Sequence, residues 1–598
     1  MTGGLGATVA GGATRFAVRS PRAEAVELCV FEGAAETRLP MARDGDVWVA
    51  ELPRDLTGAA YGYRAHGAWA PEQGLWFDPA KLLVDPYAVA LDRRFAWDAR
   101  LREFGAETAD LVPRAVVPAV RPEVPLAPPC FTRGGLIYEV NVRGFTLLHP
   151  DVPEALRGTV GALAHPAVIA HLRKLRVSAV ELMPIVAWID ERHLPPLGLR
   201  NFWGYNPVAM MALDPGVCPG GVAELRDTVT ALHGAGIGVI LDIVLNHSGE
   251  SDVAGAVLSL RGLDDAAYAK AGDGALINDT GCGNTLDFGA AAVRDLAMAT
   301  LRHFVGQCGV DGFRFDLAPV LARGPGFDRA APIFAQIAND PLLADRVMIA
   351  EPWDIGPGGY QLGQFPANWL EWNDRFRDDV RRFWRRSAPW GDVGMGTLAT
   401  RLAGSADVFG EQQCRSVNFL AAHDGFTLAD TVAYENRHNL ANGEGNRDGH
   451  GDNFSWNCDV EGQSADPAVL AARGGDLRAL LATLFAATGT IMLTAGDEFG
   501  RSQQGNNNAY CQDSAIGWVD WAARDVALED FVADLAARRA AGDFAQFPRA
   551  GRWLRLDGAA MGVGDWQDPA TPGLRYVSED PGRPRDFTID RQARCVRG

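Results

Sequence analysis

From about residue 134 onward, short apolar runs alternate with longer amphipathic stretches. The runs are LIYEVNV (136–142), VSAVELMPI (177–185), IGVILDIVL (237–245), VDGFRFDLA (310–318), RVMIAEPWD (346–354), ANWLEWN (367–373), SVNFLAAHD (416–424) and TIMLTAGDEF (490–499). Most are too continuously apolar for a strand with one wet face. They fit strands buried on both sides, as parallel sheets require. Between them lie helical stretches such as PAVIAHLRKL (166–175), VAELRDTVTALHGAG (222–236), AAAVRDLAMATLRHFVGQCG (290–309) and a further one near 328–340. Strand–helix alternation of this kind predicts a (β/α)8 TIM barrel rather than an open doubly wound sheet. ANWLEWN carries the weakest strand pattern. Long Gly/Asp-rich connections at 248–289 and 424–466 follow strands, where loops shape a cleft.

The flanks follow other patterns. In residues 1–125, alternating stretches (ATRFAVRS, AVELCVFE, DVWVAELP, AYGYRAHG) are separated by turn-forming Gly, Pro and Asp. They predict an antiparallel β-sandwich. A Pro-rich stretch, 112–129, reads as a semi-rigid connector. The barrel domain is placed at 126–541, ending in an amphipathic helix near 523–541. Residues 542–598 then read as a short C-terminal β-domain with strands at WLRLDG, MGVGDWQ and GLRYVSE. The tail, 581–598, is polar and weakly patterned, and its last part is expected to be poorly ordered. The expected fold is thus multidomain α/β, a barrel between a β-sandwich and a small β-domain.

Four barrel runs end in polar groups. LDIVLNH, GFRFD, IAEPWD and FLAAHDG deliver Asp242, His247, Arg314, Asp316, Glu351, His423 and Asp424 to the strand ends. In a TIM barrel those ends form the catalytic mouth. Arg314 and Asp316 are two apart, so on a strand they share a side, and the cation can hold the carboxylate ionised. That suits a glycosyl nucleophile. Glu351, beside Pro352 and Trp353, is placed to be desolvated and to keep a proton, as a general acid does. Asp424 is a third carboxylate for sugar hydroxyls and the oxocarbenium-like transition state. His247 and His423 can donate to the same sugar, and Tyr205 in NFWGYNP can offer it an aromatic face. Taken singly, each residue also has a structural reading as an ion pair, strand end or packing group. Their convergence on one mouth is what points to glycosidase chemistry.

The chain has 598 residues and a formal charge of −19, with no Lys/Arg run. A nucleic-acid backbone is not an expected partner. No run of apolar residues is long enough for a membrane span, and the N-terminus lacks a basic region leading into an apolar one, so a cytoplasmic protein is expected. Nine cysteines, without a CxxC pair, argue against a disulfide framework or a structural zinc site. HExxH, P-loop and dinucleotide motifs do not occur, so no organic cofactor or metal is expected. Calcium stays open, although no dedicated acidic loop is visible to support it.

LDIVLNH, GFRFDLA, IAEPWD and AAHDG resemble, in order and strand placement, the four signature regions of the α-amylase superfamily of retaining α-glucan enzymes. The resemblance spans about residues 10–570. It implies Asp316 as nucleophile, Glu351 as acid/base and Asp424 as transition-state stabiliser. It also implies that Tyr205, Asp242, His247, Arg314 and His423 line the subsite of the cleaved sugar. Segments 423–462, 495–521 and GCGNTLDF (281–288) are similar to bacterial glycogen debranching enzymes of the isoamylase type. YGYRAHG and FDPAKLLVDPYA resemble the glycogen-binding-type sandwich of debranching and branching enzymes. The implied reaction is hydrolysis of α-1,6 branches in glycogen or limit dextrin. The signature motifs leave open a general isoamylase, an α-1,4-glucan hydrolase, a malto-oligosyltrehalose hydrolase, or a catalytically weak carbohydrate-binding protein. Two departures from the family pattern are a shorter C-terminal β-domain and Phe202 where relatives often carry tyrosine.

Overall fold

The structure, a computed structural model, describes residues 4–324, 326–386, 393–410, 415–544, 546–547, 551–578 and 586–598. Eight parallel strands close into a barrel: β1 (Leu136–Val140), β2 (Val177–Leu182), β3 (Gly238–Ile243), β4 (Gly312–Phe315), β5 (Val347–Ala350), β6 (Leu370–Asn373), β7 (Ser416–Asn418) and β8 (Thr490–Thr494). They pair in chain order, and β8 closes onto β1. The weak stretch 367–373 does supply a barrel strand, β6.

Alternate residues of these strands enter two separate apolar clusters. Ile137, Ala179, Ile240, Ile349, Leu370, Val417 and Met492 fill the barrel interior, over Phe131. Leu136, Tyr138, Val180, Leu182, Val239, Leu241, Phe313, Phe315, Met348 and Leu493 face outward to the helices. Each such side chain, fully buried, contributes roughly 1.5–3 kcal/mol. Gly312 takes an inner position on β4 because nothing larger fits. A Cβ there would meet the Val347 carbonyl oxygen at 2.1 Å. Two residues further along six of the strands the wall turns polar, while β6 and β7 carry Trp372 and Phe419 there. Glu139, Glu181, Asp242, Arg314, Glu351 and Thr494 therefore ring the upper barrel by strand alternation alone.

The N-terminal region is a sandwich of two four-stranded antiparallel sheets. One orders Gly6–Ala10, Ala13–Arg19, Val47–Leu52 and Ala42–Asp44; the other orders Ala115–Val116, Ala60–His66, Ala25–Glu32 and Ala35–Pro40. Part of the Pro-rich stretch thus joins this second sheet as an edge strand, with Pro113 and Pro118 outside it, where missing amide donors do no harm.

The C-terminal region departs from the sequence reading twice. MGVGDWQ contains a short helix, Val563–Gln567, rather than a strand. The Asp565 carboxylate accepts from the Gly562 amide at 2.8 Å, a local capping bond that favours a helical turn. The tail is also not loose. Asp586–Asp590 and Cys595–Arg597 complete a four-stranded antiparallel sheet with Gly551–Leu554 and Gly573–Ser578. Phe587 and Ile589 anchor it, both buried in the barrel-side core. Arg591 donates to the Phe383 and Val393 carbonyls, and Arg594 pairs with buried Asp476. Residues 579–585 of the tail lie outside the described set.

Candidate active site

Arg314 is the hub. It projects inward from β4, fully buried, with its guanidinium 4.3 Å from the centre of the Trp372 ring. Its Nη1 donates to both Asp242 oxygens, at 2.9 and 3.0 Å, and to Asp316 Oδ1 at 3.1 Å. Its Nη2 lies 3.2 Å from Glu351 Oε2. Strand alternation thus brings Arg314 to Asp316, as expected, but most of its contact goes to Asp242 on the neighbouring strand. Asp242 and Arg314 are paired in the β3–β4 register.

Asp316 follows β4 directly. Asn246 Nδ2 fixes it by donating to Oδ2 at 2.8 Å and to its carbonyl at 2.7 Å. The next residue, Leu317, has φ +41°, a left-handed conformation that costs a branched side chain about 1–2 kcal/mol. That twist aims the Leu317 amide at Glu351, donating to Oε2 at 2.7 Å. Backbone strain after Asp316 thereby positions the second carboxyl. Burial pushes Glu351 up to about 8, against the opposing pull of Arg314 and with help from the charge of Asp316. Burial thus favours its protonated form.

Asp242 is pushed up to about 6, chiefly by burial, with Arg314 opposing. The Tyr205 hydroxyl donates to it. The Tyr205 ring stacks on His423 at 4.8 Å, so one of its faces is taken by the imidazole. Burial works against charging His423, but Glu139, 2.7 Å away, outweighs it and raises the imidazole to about 9. His423 is therefore a cation at neutral pH. Trp203 closes on its edge at 5.0 Å. His247 is the opposite case: burial lowers it, so it is neutral, hydrogen-bonded to Asn246 and to the Tyr205 carbonyl at 3.0 Å.

Asp424 stands across the mouth with its side chain 32% exposed. His450 Nε2, from the loop 424–466, meets its Oδ2 at 2.9 Å. Burial would raise Asp424, but the His450 bond and the charges of His450, His423 and Arg377 hold it well below the usual carboxylate range. All eight residues read from the sequence thus border one site. Asn246, Leu317, Glu139, Trp372 and His450 belong to it as well and were not read. A charged residue inside the apolar run LIYEVNV was the one visible signal for Glu139. A groove of about 720 Å³, lined by Trp97, Arg192, His193, Asn278 and Cys282, runs along the 248–289 loop.

Among the described residues one group has metal-ligand character, Cys130, His233 and Asp311, with ligand atoms within 4.8 Å of one another. It lies at the starts of β3 and β4, the opposite end of the barrel from the carboxyls. Asp311 already accepts from the Cys130 and Val239 amides, both at 2.6 Å, and meets His233 at 2.7 Å. These bonds make it a tether between barrel and helix.

Comparison with known proteins follows the same lines. The model for carbohydrate-binding module 48 (isoamylase N-terminal domain) matches residues 4–88. A glycogen debranching enzyme of Serratia proteamaculans is 47% identical over 590 residues, covering 94% of this chain and 88% of the relative. One from Cronobacter sakazakii is 46% identical, covering 96% and 90%. Among solved structures, a pullulanase complexed with maltotriose from Anoxybacillus sp. LM18-11 superposes with TM-score 0.72 at 22% identity, covering 99% of this chain and 80% of that one. Pullulanase from Bacillus acidopullulyticus gives 0.71 at 20%, covering 98% and 68%. The structural likeness establishes the fold, and the near-full-length identity establishes more: the chain belongs to the glycogen debranching enzyme family.

Proposed function

We propose that this chain hydrolyses α-1,6 branch linkages of glycogen or its limit dextrins by double displacement with retention. Asp316 attacks the anomeric carbon, Glu351 protonates the departing oxygen and later activates water, and Asp424 stabilises the oxocarbenium-like transition state. The observation that carries this reading is Arg314. One guanidinium touches Asp316 with one amino group and Glu351 with the other. Two carboxyls on one guanidinium suit the short separation, about 5–5.5 Å, of a retaining pair. Their environments also push them apart in role, with Glu351 protonated up to about pH 8.

Tyr205, Asp242, His247, Arg314 and His423 would line the subsite of the cleaved sugar. Cationic His423 offers a donor to hydroxyls, while both ring nitrogens of His247 are taken up by Asn246 and the Tyr205 carbonyl, so it shapes the subsite by packing. Acid, nucleophile and water complete the cycle, so the reading requires neither an organic cofactor nor a metal. The bond preference rests on the relatives, which are glycogen debranching enzymes by name. A neutral branched α-glucan suits a protein of charge −19 better than a polyanion does. Eight cysteines, all free thiols among the described residues, support a reducing, cytoplasmic setting. No helix among the described residues is long and apolar enough to cross a membrane.

The test is incubation with a branched limit dextrin and, separately, with linear amylose. Short linear chains and deeper iodine colour are expected from the dextrin alone. Absence of new reducing ends from either would overturn the hydrolase reading. Reducing ends from amylose would overturn the α-1,6 preference.

A further inference from the structure

Six side chains with carboxyl groups approach the upper barrel, and five have donors. Glu139 is held by His423 and Thr494, Asp242 by Arg314 and Tyr205, Asp316 by Arg314 and Asn246, Glu351 by the Leu317 amide, and Asp424 by His450. Glu181 is the sixth. It is fully buried on the inner face of β2, and neither of its oxygens has a hydrogen-bond partner among the described residues. It pairs with Glu139 in the β1–β2 register, on strands about 4.8 Å apart, and with Ile240 on β3, one inner position below Asp242. The titratable and charged groups facing it are Asp242 from β3, Glu139 from β1, Arg314 from β4 and, past β5, Glu351, itself held toward its protonated form. Only Arg314 is a cation.

A carboxylate there would be an unpaired buried anion among other anions, an arrangement that costs several kcal/mol. It would also compete for Arg314, whose Nε has no partner among the described residues. Turning that guanidinium downward would draw it from Asp316 and Glu351. We propose that Glu181 works as an un-ionised carboxyl, a positioning residue whose neutrality leaves the charge of Arg314 to Asp242, Asp316 and Glu351. Burial and the neighbouring carboxylates push Glu181 well above the usual carboxylate range, in agreement. The proposal rests on the roles given above to Asp316 and Glu351, but its first readout needs no turnover.

That readout is the melting temperature of Glu181→Gln against wild type between pH 5 and 8. An unfolded glutamate releases its proton above its ordinary 4.5. The folded chain keeps it, so wild type is progressively penalised as pH rises, and the glutamine variant is not. The variant's advantage should therefore grow with pH. A flat or shrinking difference would overturn the proposal, and so would failure to fold, because glutamine is the neutral isostere. A residue that merely fills space gives no such slope. The second readout is kcat/KM on branched dextrin across pH. Values within about threefold of wild type, with the alkaline limb unmoved, are expected. A loss of tenfold or more, with the limb shifted to lower pH, would show that an ionised Glu181 had been supporting Glu351, and would overturn the proposal. If wild type itself cleaves no branch, the functional reading falls while the stability slope still decides the state of Glu181.

Discussion

Arg314 divides one positive charge among three carboxyls, and the division makes two similar acids unlike each other. Asp316 receives Nη1 and an amide donor from Asn246. Glu351 lies 3.2 Å from Nη2, and burial holds it toward its protonated form. Two predictions belong to this scale. Asp316→Asn removes the nucleophile with almost no change in volume. It should lower kcat by about 10⁴-fold or more while leaving glucan affinity within a few-fold, as measured by calorimetry on the inactive variant. Residual turnover near wild type would move the nucleophile elsewhere. For Glu351, the acid must be protonated when the glycosidic oxygen leaves. Activity should therefore fall as pH rises through about 8, and a kcat/KM profile gives the limb directly. A limb near pH 5 would mean that Glu351 is solvated like an ordinary glutamate.

Elements differ in how plainly the sequence announces them. The barrel strands were legible because burial on both faces leaves a continuous apolar run, and the polar groups ending four of the runs mark the mouth. The C-terminal strand Asp586–Asp590 was missed although DFTID alternates as a half-buried strand does, because the run is only five residues long in a polar tail and its packing partners lie far away in the chain. The helix Val563–Gln567 was misread because a single Asp565 cap outweighs a weak apolar pattern. In the site, the carboxylates and histidines could be read, but their supports could not. Leu317 acts through a backbone angle, and His450 acts from a loop 26 residues after Asp424. Neither role leaves a trace in local composition. The loop gives a prediction of its own. His450→Ala removes the donor to Asp424, so the carboxylate should rise toward its ordinary range. The His450 side chain is 46% exposed, so screening limits the effect. A fall of roughly tenfold in kcat/KM and an acid limb moved to higher pH are expected. A variant with an unchanged acid limb would show that the loop does not tune Asp424.

At the scale of the whole molecule, the sandwich is built into the barrel rather than hung on it. Its apolar core runs on through Ala187, Ile189, Val208, Ala209, Ala212, Val257, Leu258 and Leu263, all supplied by barrel segments and the 248–289 loop. Polar bonds follow the same seam. Arg19 pairs with Asp264 at 2.8 Å, the Ser20 hydroxyl donates to the Leu263 carbonyl at 2.6 Å, and the Val84 amide donates to the Leu258 carbonyl at 2.7 Å. The same loop carries Glu250, whose oxygens accept from the Leu258, Ser259 and Arg261 amides. Separating the sandwich would expose this shared core and leave the loop beside Asn246 and His247 without its support. Ordinary inter-domain contacts are polar and permit independent motion; a shared apolar core does not. The sandwich and barrel should therefore unfold together, in one calorimetric transition, and a chain starting near residue 130 should aggregate rather than give an active barrel. The decisive variant is Leu258→Asp, which places a charge in the apolar seam and touches none of the carboxyls at the mouth. It should lower the temperature of the whole transition and reduce activity in step with the folded fraction. If it instead split the trace into two transitions, with the barrel's temperature unmoved and activity intact, the sandwich would be a detachable module and the continuity of the core would carry no energetic weight.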